Sequence, residues 1–198
     1  MAETKLLLLL FFLTISTTSM TSALTQSSKK SPAIDFIRKC CNTTLYPDVC
    51  ISSLSPSAAA ISTNPLLLAR AAASVALSRL RSTRSRVSTL ANTASGSREA
   101  ASLRDCADAL GDAVDQMRRS ASVLGKMASM KGAGSGSMAW RISGVQTWMS
   151  AALTNEVTCG DGFDGIPTDP VEKEVISRVT DVKKYSSNAL ALVNMLVR

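Results

Sequence analysis

Five cysteines are the residues of this chain whose spacing points most directly to chemistry. Three of them, Cys40, Cys41 and Cys50, lie within the stretch CCNTTLYPDVC, and the other two are Cys106 and Cys159. A cysteine cluster can bind a metal ion, act as a redox centre or form disulfides. Because the chain has no histidine, a metal site would need thiolates alone, and the C-x-x-C pair typical of redox centres is absent. We therefore expect two structural disulfides, one spare cysteine, no metal ion and no other cofactor.

Disulfide geometry limits the pairings. A bridge between adjacent cysteines is strained, so either Cys40 or Cys41 is expected to pair with Cys50 across the Tyr-Pro-Asp turn. A bridge between Cys106 and Cys159 would tie two packed helices together. The cysteine left over is expected to be a half-buried spare thiol or a site of pairing between two molecules.

An acidic stripe is the second pattern of chemical interest. Asp108, Asp112 and Asp115 stand at positions i, i+4 and i+7 of one predicted helix, away from its apolar positions and with Gln116 beside them. From spacing alone, the stripe is either a solvated face that aids solubility or a surface that binds a partner. Catalysis by a carboxylate pair is not favoured, because nothing suggests a cleft around the aspartates. The absence of histidine also removes the commonest general base, so we expect a binding protein and not an enzyme.

A second polar group, Asn155, Glu156 and Thr158, immediately precedes Cys159. A bridge from Cys159 to the helix of the acidic stripe would hold these side chains beside the stripe, so that they are ordered before any partner binds. The alternative is a helix end with ordinary polar residues.

Three further residues need an interpretation. Trp140 and Trp148 are eight residues apart, and we expect them to pack in the core, although a tryptophan pair can also anchor an interface. Asn42 begins the sequon Asn-Thr-Thr and is a candidate for N-glycosylation in a secreted chain.

The pattern of apolar residues predicts an all-α chain. Strand-like alternation is hard to find, and aromatic residues make up only 4% of the sequence, which argues against a sheet. Helix-start signals and apolar residues at spacings of three and four predict four long helices. They are Leu66–Leu80 after an Asn64-Pro65 N-cap, a helix with an apolar seam from Leu103 to Leu124, Met138–Thr158, and a helix from an Asp169-Pro170 capping box to about Leu196.

The predicted connections suit an antiparallel bundle. Ser82–Gly96 is rich in Ser, Thr and Arg, Gly132–Ser137 is a Gly-Ser run, and Gly160–Pro167 is a glycine-rich turn. The cysteine cluster falls in Pro32–Leu54, which we interpret as a helical hairpin that precedes the bundle.

The N-terminus predicts a secreted protein. Lys5 precedes the apolar run Leu6–Leu13, and small residues follow up to Ala23, as in a cleaved signal peptide. The run is too short to span a bilayer, so no membrane attachment is expected after cleavage. The net charge of +7 gives affinity for polyanions such as acidic cell-wall polysaccharide. Nucleic acid is not an expected partner, because a basic stripe with interleaved aromatic residues is missing.

Four segments carry a resemblance to a known family. In chain order they are FIRKCCNTTLYPDVCISSLSP, SLRDCADALGDAVDQM, VQTWMSAALTNEVTCGDGF and VKKYSSNALALVN. In this order, with these cysteines, they resemble the plant invertase and pectin methylesterase inhibitor family, and within it the pectin methylesterase inhibitors. The resemblance runs from about Asp35 to the C-terminus.

The resemblance implies an up-and-down antiparallel four-helix bundle preceded by an N-terminal helical hairpin, with two disulfides. It assigns the bridges as Cys41 with Cys50 and Cys106 with Cys159. Cys40 falls where the family usually has a small polar residue, so its thiol is the unpaired one.

The implied domain organisation has three parts. Residues 1–23 form the signal peptide, 24–33 a linker and 34–198 the inhibitor domain, with its hairpin at about 34–63 and its bundle at about 64–198.

The function implied is inhibition without catalysis. Pectin methylesterase inhibitors form a one-to-one complex in which bundle helices cover the cleft that would hold methylated polygalacturonan. The resemblance therefore implies a secreted protein of the apoplast or cell wall, monomeric when free, whose partner is a plant pectin methylesterase. Polar and acidic residues at the positions of the acidic stripe belong to the enzyme-facing surface, and Thr158 matches a contact position. The resulting enzyme-binding candidates are Asp108, Asp112, Asp115, Gln116, Asn155, Glu156 and Thr158.

Three other functions are alternatives to this one. Invertase inhibitors of the family resemble one another in a Pro-Lys-Phe motif, and none of the six prolines here is followed by lysine. A lipid carrier or membrane-active protein is disfavoured, because the positive charges are spread over several helices. The same fold forms the pro-region of larger pectin methylesterase precursors, but the sequence ends after its last predicted helix, so we expect a free-standing inhibitor.

Overall fold

The structure is a computed structural model that describes residues 31–130, 135–163 and 170–197. These residues form helices and turns, without a β-strand among them. No helix in these three ranges has both the length and the apolar character needed to cross a membrane. The elements are α1 (Pro32–Cys41), α2 (Pro47–Leu54), a 3-10 turn (Ser55–Ser57), α3 (Ala58–Ile61), α4 (Pro65–Thr93), α5 (Ser97–Ser129), α6 (Ser135–Asp161), α7 (Pro170–Asn194) and a final 3-10 turn (Met195–Val197).

The four long helices form a closed antiparallel ring. Each packs on its neighbours in sequence, and α7 packs back on α4. Hydrogen bonds between α6 and α7 show the antiparallel direction, since Gln146 contacts Asn194 while Glu156 contacts Ser186. The predicted up-and-down four-helix bundle is confirmed.

Helix α4 begins as the sequence predicts and ends later. The side chain of Asn64 accepts hydrogen bonds from the backbone N–H groups of Leu66 and Leu67, at 2.9 and 3.2 Å, and Pro65 occupies the first turn. The prediction that Ser82–Gly96 is a connection is wrong, because the helix continues to Thr93.

The Ser-, Thr- and Arg-rich end of α4 is helical because it keeps the helical period on its inner face. Thr83, Val87 and Leu90 are buried at spacings of four and three. Hydroxyl groups on the outer face donate to backbone carbonyls one turn earlier, as Thr89 does to Ser85 at 3.0 Å. Polar composition alone was therefore a poor signal for a helix end.

The other predicted boundaries differ by a few residues. Helix α6 extends about one turn beyond each end of the predicted Met138–Thr158, so it takes up parts of both glycine-rich connections. Asp169, the predicted cap of the last helix, lies outside the described residues, as do the predicted signal peptide and most of the linker. The predicted division into domains stays a prediction.

The core follows the apolar seam of α5. Leu103, Leu110, Met117 and Leu124 are all without solvent exposure and face the centre of the ring. From α6, Ile142, Val145, Met149 and Ala152 are likewise buried. A narrow apolar stripe on each helix is enough to form the core, because all four helices bury their stripes in the same interior.

The hairpin is closed by a disulfide and docked on α7. Cys41 at the end of α1 is bonded to Cys50 in α2. The side-chain amide of Asn188, on α7, donates to the Tyr46 carbonyl at 2.8 Å and accepts from the Tyr46 N–H at 3.2 Å. Tyr46 lies between the two helices of the hairpin, so this contact fixes the turn to the bundle.

Cys40 has no disulfide partner and is buried, with 4% of its surface exposed. Burial raises the pKa of its thiol, while neighbouring Lys39 lowers it. In the folded chain this thiol is enclosed and not half-buried as predicted.

Candidate functional site

The second disulfide joins the two helices that carry the predicted site. Cys106 of α5 is bonded to Cys159 of α6, and both are buried. The two bridges have the partners that the resemblance implies, and the expectation of two disulfides is confirmed. The bond holds the end of α6 against the first half of α5.

The acidic stripe lies on the solvent side of α5. Asp108, Asp112 and Asp115 are all exposed. Asp115 accepts a hydrogen bond from Arg118 one turn later, an exposed ion pair. The other two aspartates make no ion pair within the described residues, so their carboxylates are open to a partner.

A hydrogen bond connects the stripe to the second predicted group. The side-chain amide of Asn155 on α6 donates to the Gln116 side-chain carbonyl at 3.1 Å. Thr158, one turn beyond Asn155, is exposed, and its hydroxyl donates to the Thr154 carbonyl at 3.1 Å. Its oxygen keeps lone pairs for a donor from outside. Six of the seven predicted residues thus lie on two helices joined by a disulfide and a side-chain hydrogen bond, and the set is here called the acidic face: Asp108, Asp112, Asp115, Gln116, Asn155 and Thr158.

Glu156 does not belong to the acidic face, and its prediction as a binding residue is wrong. Its side chain has no solvent exposure and points into the bundle, where the Ser186 hydroxyl of α7 donates to it at 2.6 Å. The physical reason is helical period, because Glu156 follows the buried residues Met149 and Ala152 by seven and four positions. That signal was present in the sequence.

Burial changes the chemistry of the Glu156 carboxyl group. Loss of hydration raises its pKa to about 7, against smaller lowering effects from the Ser186 hydrogen bond and the charge of Lys183. The second carboxylate oxygen has no hydrogen-bond partner. The group is therefore largely protonated under acidic conditions.

Trp140 is the other residue that sequence reasoning misplaced. It is 77% exposed on α6, so the prediction that it packs in the core is wrong, while Trp148 is half-buried. Trp140 stands nine residues before buried Met149, which places it on the opposite side of the helix. Trp140 and Thr158 are eighteen residues apart, or five turns, and share this outer side.

No part of the described chain gathers three or more His, Cys, Asp or Glu side chains into a possible metal site.

The sequon residue Asn42 is exposed at the end of α1. Thr44, the last residue of the sequon, is buried, and its hydroxyl donates a hydrogen bond to the Cys41 carbonyl at 2.8 Å. Glycosylation of Asn42 stays a prediction.

Comparison with known sequences agrees with this architecture. Residues 35–192 match the family described as "Plant invertase/pectin methylesterase inhibitor". The chain is 34% identical to Pectinesterase inhibitor 3 of Arabidopsis thaliana over 188 residues, which cover 94% of this chain and 91% of that protein. It is 38% identical to Pectinesterase inhibitor 11 of the same plant over 195 residues, covering 96% and 95%.

Comparison with solved structures supports the fold. A crystal structure of a mutant form of a pectin methylesterase inhibitor from Arabidopsis superposes with a TM-score of 0.61 and 21% identity. The match covers 78% of this chain and 93% of that one.

Proposed function

We propose that this chain, which belongs to the plant invertase/pectin methylesterase inhibitor family, binds a plant pectin methylesterase and inhibits it. The two relatives described above are named as inhibitors, and the chain is an inhibitor and not an enzyme. The invertase alternative is not favoured, because the curated relatives described above are pectinesterase inhibitors and the Pro-Lys-Phe motif is missing.

The observation that carries the proposal is the acidic face. Exposed carboxylates lie on α5 and the exposed hydroxyl of Thr158 lies on α6, and a disulfide and a side-chain hydrogen bond hold the two helices together. Little side-chain and helix freedom is then lost when a partner binds, which favours affinity.

The proposed mode of inhibition is the one that the family resemblance implies. One inhibitor molecule covers the substrate cleft of one enzyme molecule, and methylated pectin can no longer enter. The carboxylates of the acidic face contact basic or polar groups near the cleft, so the complex weakens as salt screens these charges. The proposed place of action is the cell wall, reached through the signal peptide predicted at residues 1–23.

The test compares the oxidised mature protein against a plant pectin methylesterase and a cell-wall invertase at mildly acidic pH. We expect stoichiometric loss of ester hydrolysis and no effect on invertase. Asp112→Asn and Thr158→Ala should each raise the inhibition constant about tenfold, the effect of losing one good contact.

The matched controls carry the same substitutions elsewhere. Asp48→Asn on α2 and Thr63→Ala between α3 and α4 alter exposed residues outside the two helices of the acidic face and should leave inhibition unchanged. Equal effects of control and test variants would refute the placement of the site. Inhibition of invertase alone would refute the choice of enzyme.

A further inference from the structure

The arginines of α4 fall into two sets according to the neighbouring helix that they face. Toward α7, Arg79 lies 5.0 Å from the centre of the Tyr185 ring, and Arg86 binds both carboxylate oxygens of Glu174 at 2.7 Å. Arg178 of α7 binds the same carboxylate. The guanidinium groups of Arg86 and Arg178 lower the pKa of Glu174 to about 2. The positive charges of Arg79 and Arg86 are thus engaged by side chains of α7 within the fold.

Toward α5, the arginines have no acidic partner. Arg70 and Arg84 lie against glycines of α5, where an added Cβ would come within 3.4 Å of the Arg70 Nε at Gly125 and 3.2 Å of the Arg84 Nε at Gly111. The glycines therefore leave room for the guanidinium groups to lie across the helix. In the described part of the chain, neither arginine forms an ion pair.

Arg84 is held in place by the backbone. Its Nε donates to the Ala107 carbonyl at 3.3 Å, and no carboxylate neutralises its charge. Arg81, one turn earlier, is exposed and without a hydrogen-bond or ion-pair partner in the ranges that the structure describes. An oriented guanidinium group with unused terminal N–H donors is suited to binding a carboxylate from outside.

Arg81 and Arg84 both line one groove between α4 and α5. The groove has a volume of about 450 Å³, and none of its lining residues is acidic. Besides charge, the groove offers hydroxyl and amide groups, which can hydrogen-bond to sugar hydroxyls. It also includes the apolar side chain of Val114. Its principal lining residues are Arg81, Arg84, Ser88, Thr89, Asn92 and Val114.

We propose that this groove binds a run of free galacturonate units, the de-esterified form of pectin. Guanidinium groups recognise the carboxylates, and the neighbouring Ser, Thr and Asn side chains recognise the ring hydroxyls. Methyl-esterified units carry no charge and bind weakly. The choice of this sugar rests on the proposed function, because the partner enzyme would generate free galacturonate. The groove concentrates the inhibitor where the enzyme has already acted.

The groove borders the acidic face on α5, because Gly111 follows Asp108 by three positions and precedes Asp115 by four. Gly111 and Val114 face α4 and the groove, whereas Gln116 faces α6 through its bond to Asn155. The three aspartates do not line the groove. The residues proposed to bind the sugar are therefore separate from those proposed to bind the enzyme.

The experiment measures binding without the enzyme, so that it stands apart from any failure of inhibition. The mature protein is titrated at low salt with a labelled oligogalacturonate, with the same oligomer fully methyl-esterified, and with polyglutamate of equal charge. The test variant is Arg81→Gln/Arg84→Gln. The control is Arg38→Gln/Lys39→Gln, which removes the same charge from exposed positions of α1. Arg81→Gln alone, an exposed residue, serves if the double variant is unstable by circular dichroism.

We expect the test variant to bind oligogalacturonate about tenfold more weakly and the control to change by less than about twofold. The esterified oligomer should bind neither variant nor wild type measurably. Equal losses in test and control would overturn the proposal, since net charge alone would then explain binding. Equal affinity for polyglutamate, or no binding by the wild type, would overturn it as well. So would loss of enzyme inhibition in the test variant with unchanged sugar binding, which would make the groove a contact for the enzyme.

Discussion

Glu156 is a single buried acid whose protonation links the stability of the bundle to pH. Its carboxyl group faces Ser186 and Lys183 of α7 and holds its proton up to about pH 7, against an ordinary pKa of 4.5. Because the folded chain binds this proton more tightly than the unfolded chain, the stabilisation is complete below about pH 4.5 and is lost as the pH rises through about 7. The full difference corresponds to about 3 kcal/mol.

Glu156→Gln should remove this dependence, since a neutral amide of the same shape cannot ionise. Urea unfolding at several pH values checks the prediction. The wild type should lose up to about 3 kcal/mol relative to Glu156→Gln between acidic and neutral pH. Asp108→Asn, on the solvent side of α5, should follow the wild-type curve. Parallel curves for wild type and Glu156→Gln would show that the buried carboxyl group has no such effect.

Residue by residue, the sequence predicted exposure better than it predicted burial of polar groups. The aspartates of the acidic face are exposed as expected. Residues at i, i+4 and i+7 share one face of a helix, and a face away from the buried apolar seam must point to solvent. Glu156 and Trp140 were misplaced because residue type was given more weight than helical period. Whether the acidic face binds an enzyme stays a prediction, since it depends on the partner's surface.

Helices α5 and α6 form the element pair on which the proposed site depends. The Cys106–Cys159 bridge closes a loop with a sequence separation of 53, and the Cys41–Cys50 bridge one of 9. In the chain-entropy description the longer loop stabilises the fold by about 4 kcal/mol and the shorter by about 3. The first bridge also aligns both halves of the acidic face.

Removing the two bridges separately should therefore give different results. Cys106→Ser/Cys159→Ser is expected to lower the free energy of unfolding more than Cys41→Ser/Cys50→Ser, and to raise the inhibition constant. The second variant should retain inhibition while folded. Chemical unfolding and inhibition assays on both proteins check this. A larger loss of inhibition from the hairpin variant would place the site elsewhere.

The elements themselves could be predicted to within a few residues, apart from the end of α4. The Asn64-Pro65 cap and the apolar seam of α5 are local signals, so the sequence alone sufficed for them. The extension of α4 to Thr93 depends on packing of Thr83, Val87 and Leu90 against other helices, which composition does not report. The groove between α4 and α5 was likewise hidden, because it depends on which arginine meets which glycine across two helices.

At the scale of the whole molecule, the hairpin and the bundle are held together through Asn188. Its side-chain amide pairs with both backbone groups of Tyr46. Asn188→Ala would leave these groups without partners, at a cost of about 2 kcal/mol. We expect a lower melting temperature and faster proteolysis within residues 42–46. Asn92→Ala, an exposed amide on α4, is the control and should change neither. Unchanged proteolysis in Asn188→Ala would mean that the apolar contacts alone fix the hairpin.

The same contact also sets an order of events during synthesis. Asn188 follows Tyr46 by 142 residues, so the hairpin leaves the ribosome long before the side chain that fixes it. Both disulfides, by contrast, can form before α7 is made, because Cys159 precedes that helix. During this interval Asn188 does not yet hold the hairpin turn, and we expect Cys40 to compete with Cys41 for Cys50. The nascent chain is therefore expected to depend on disulfide isomerisation until its last helix arrives.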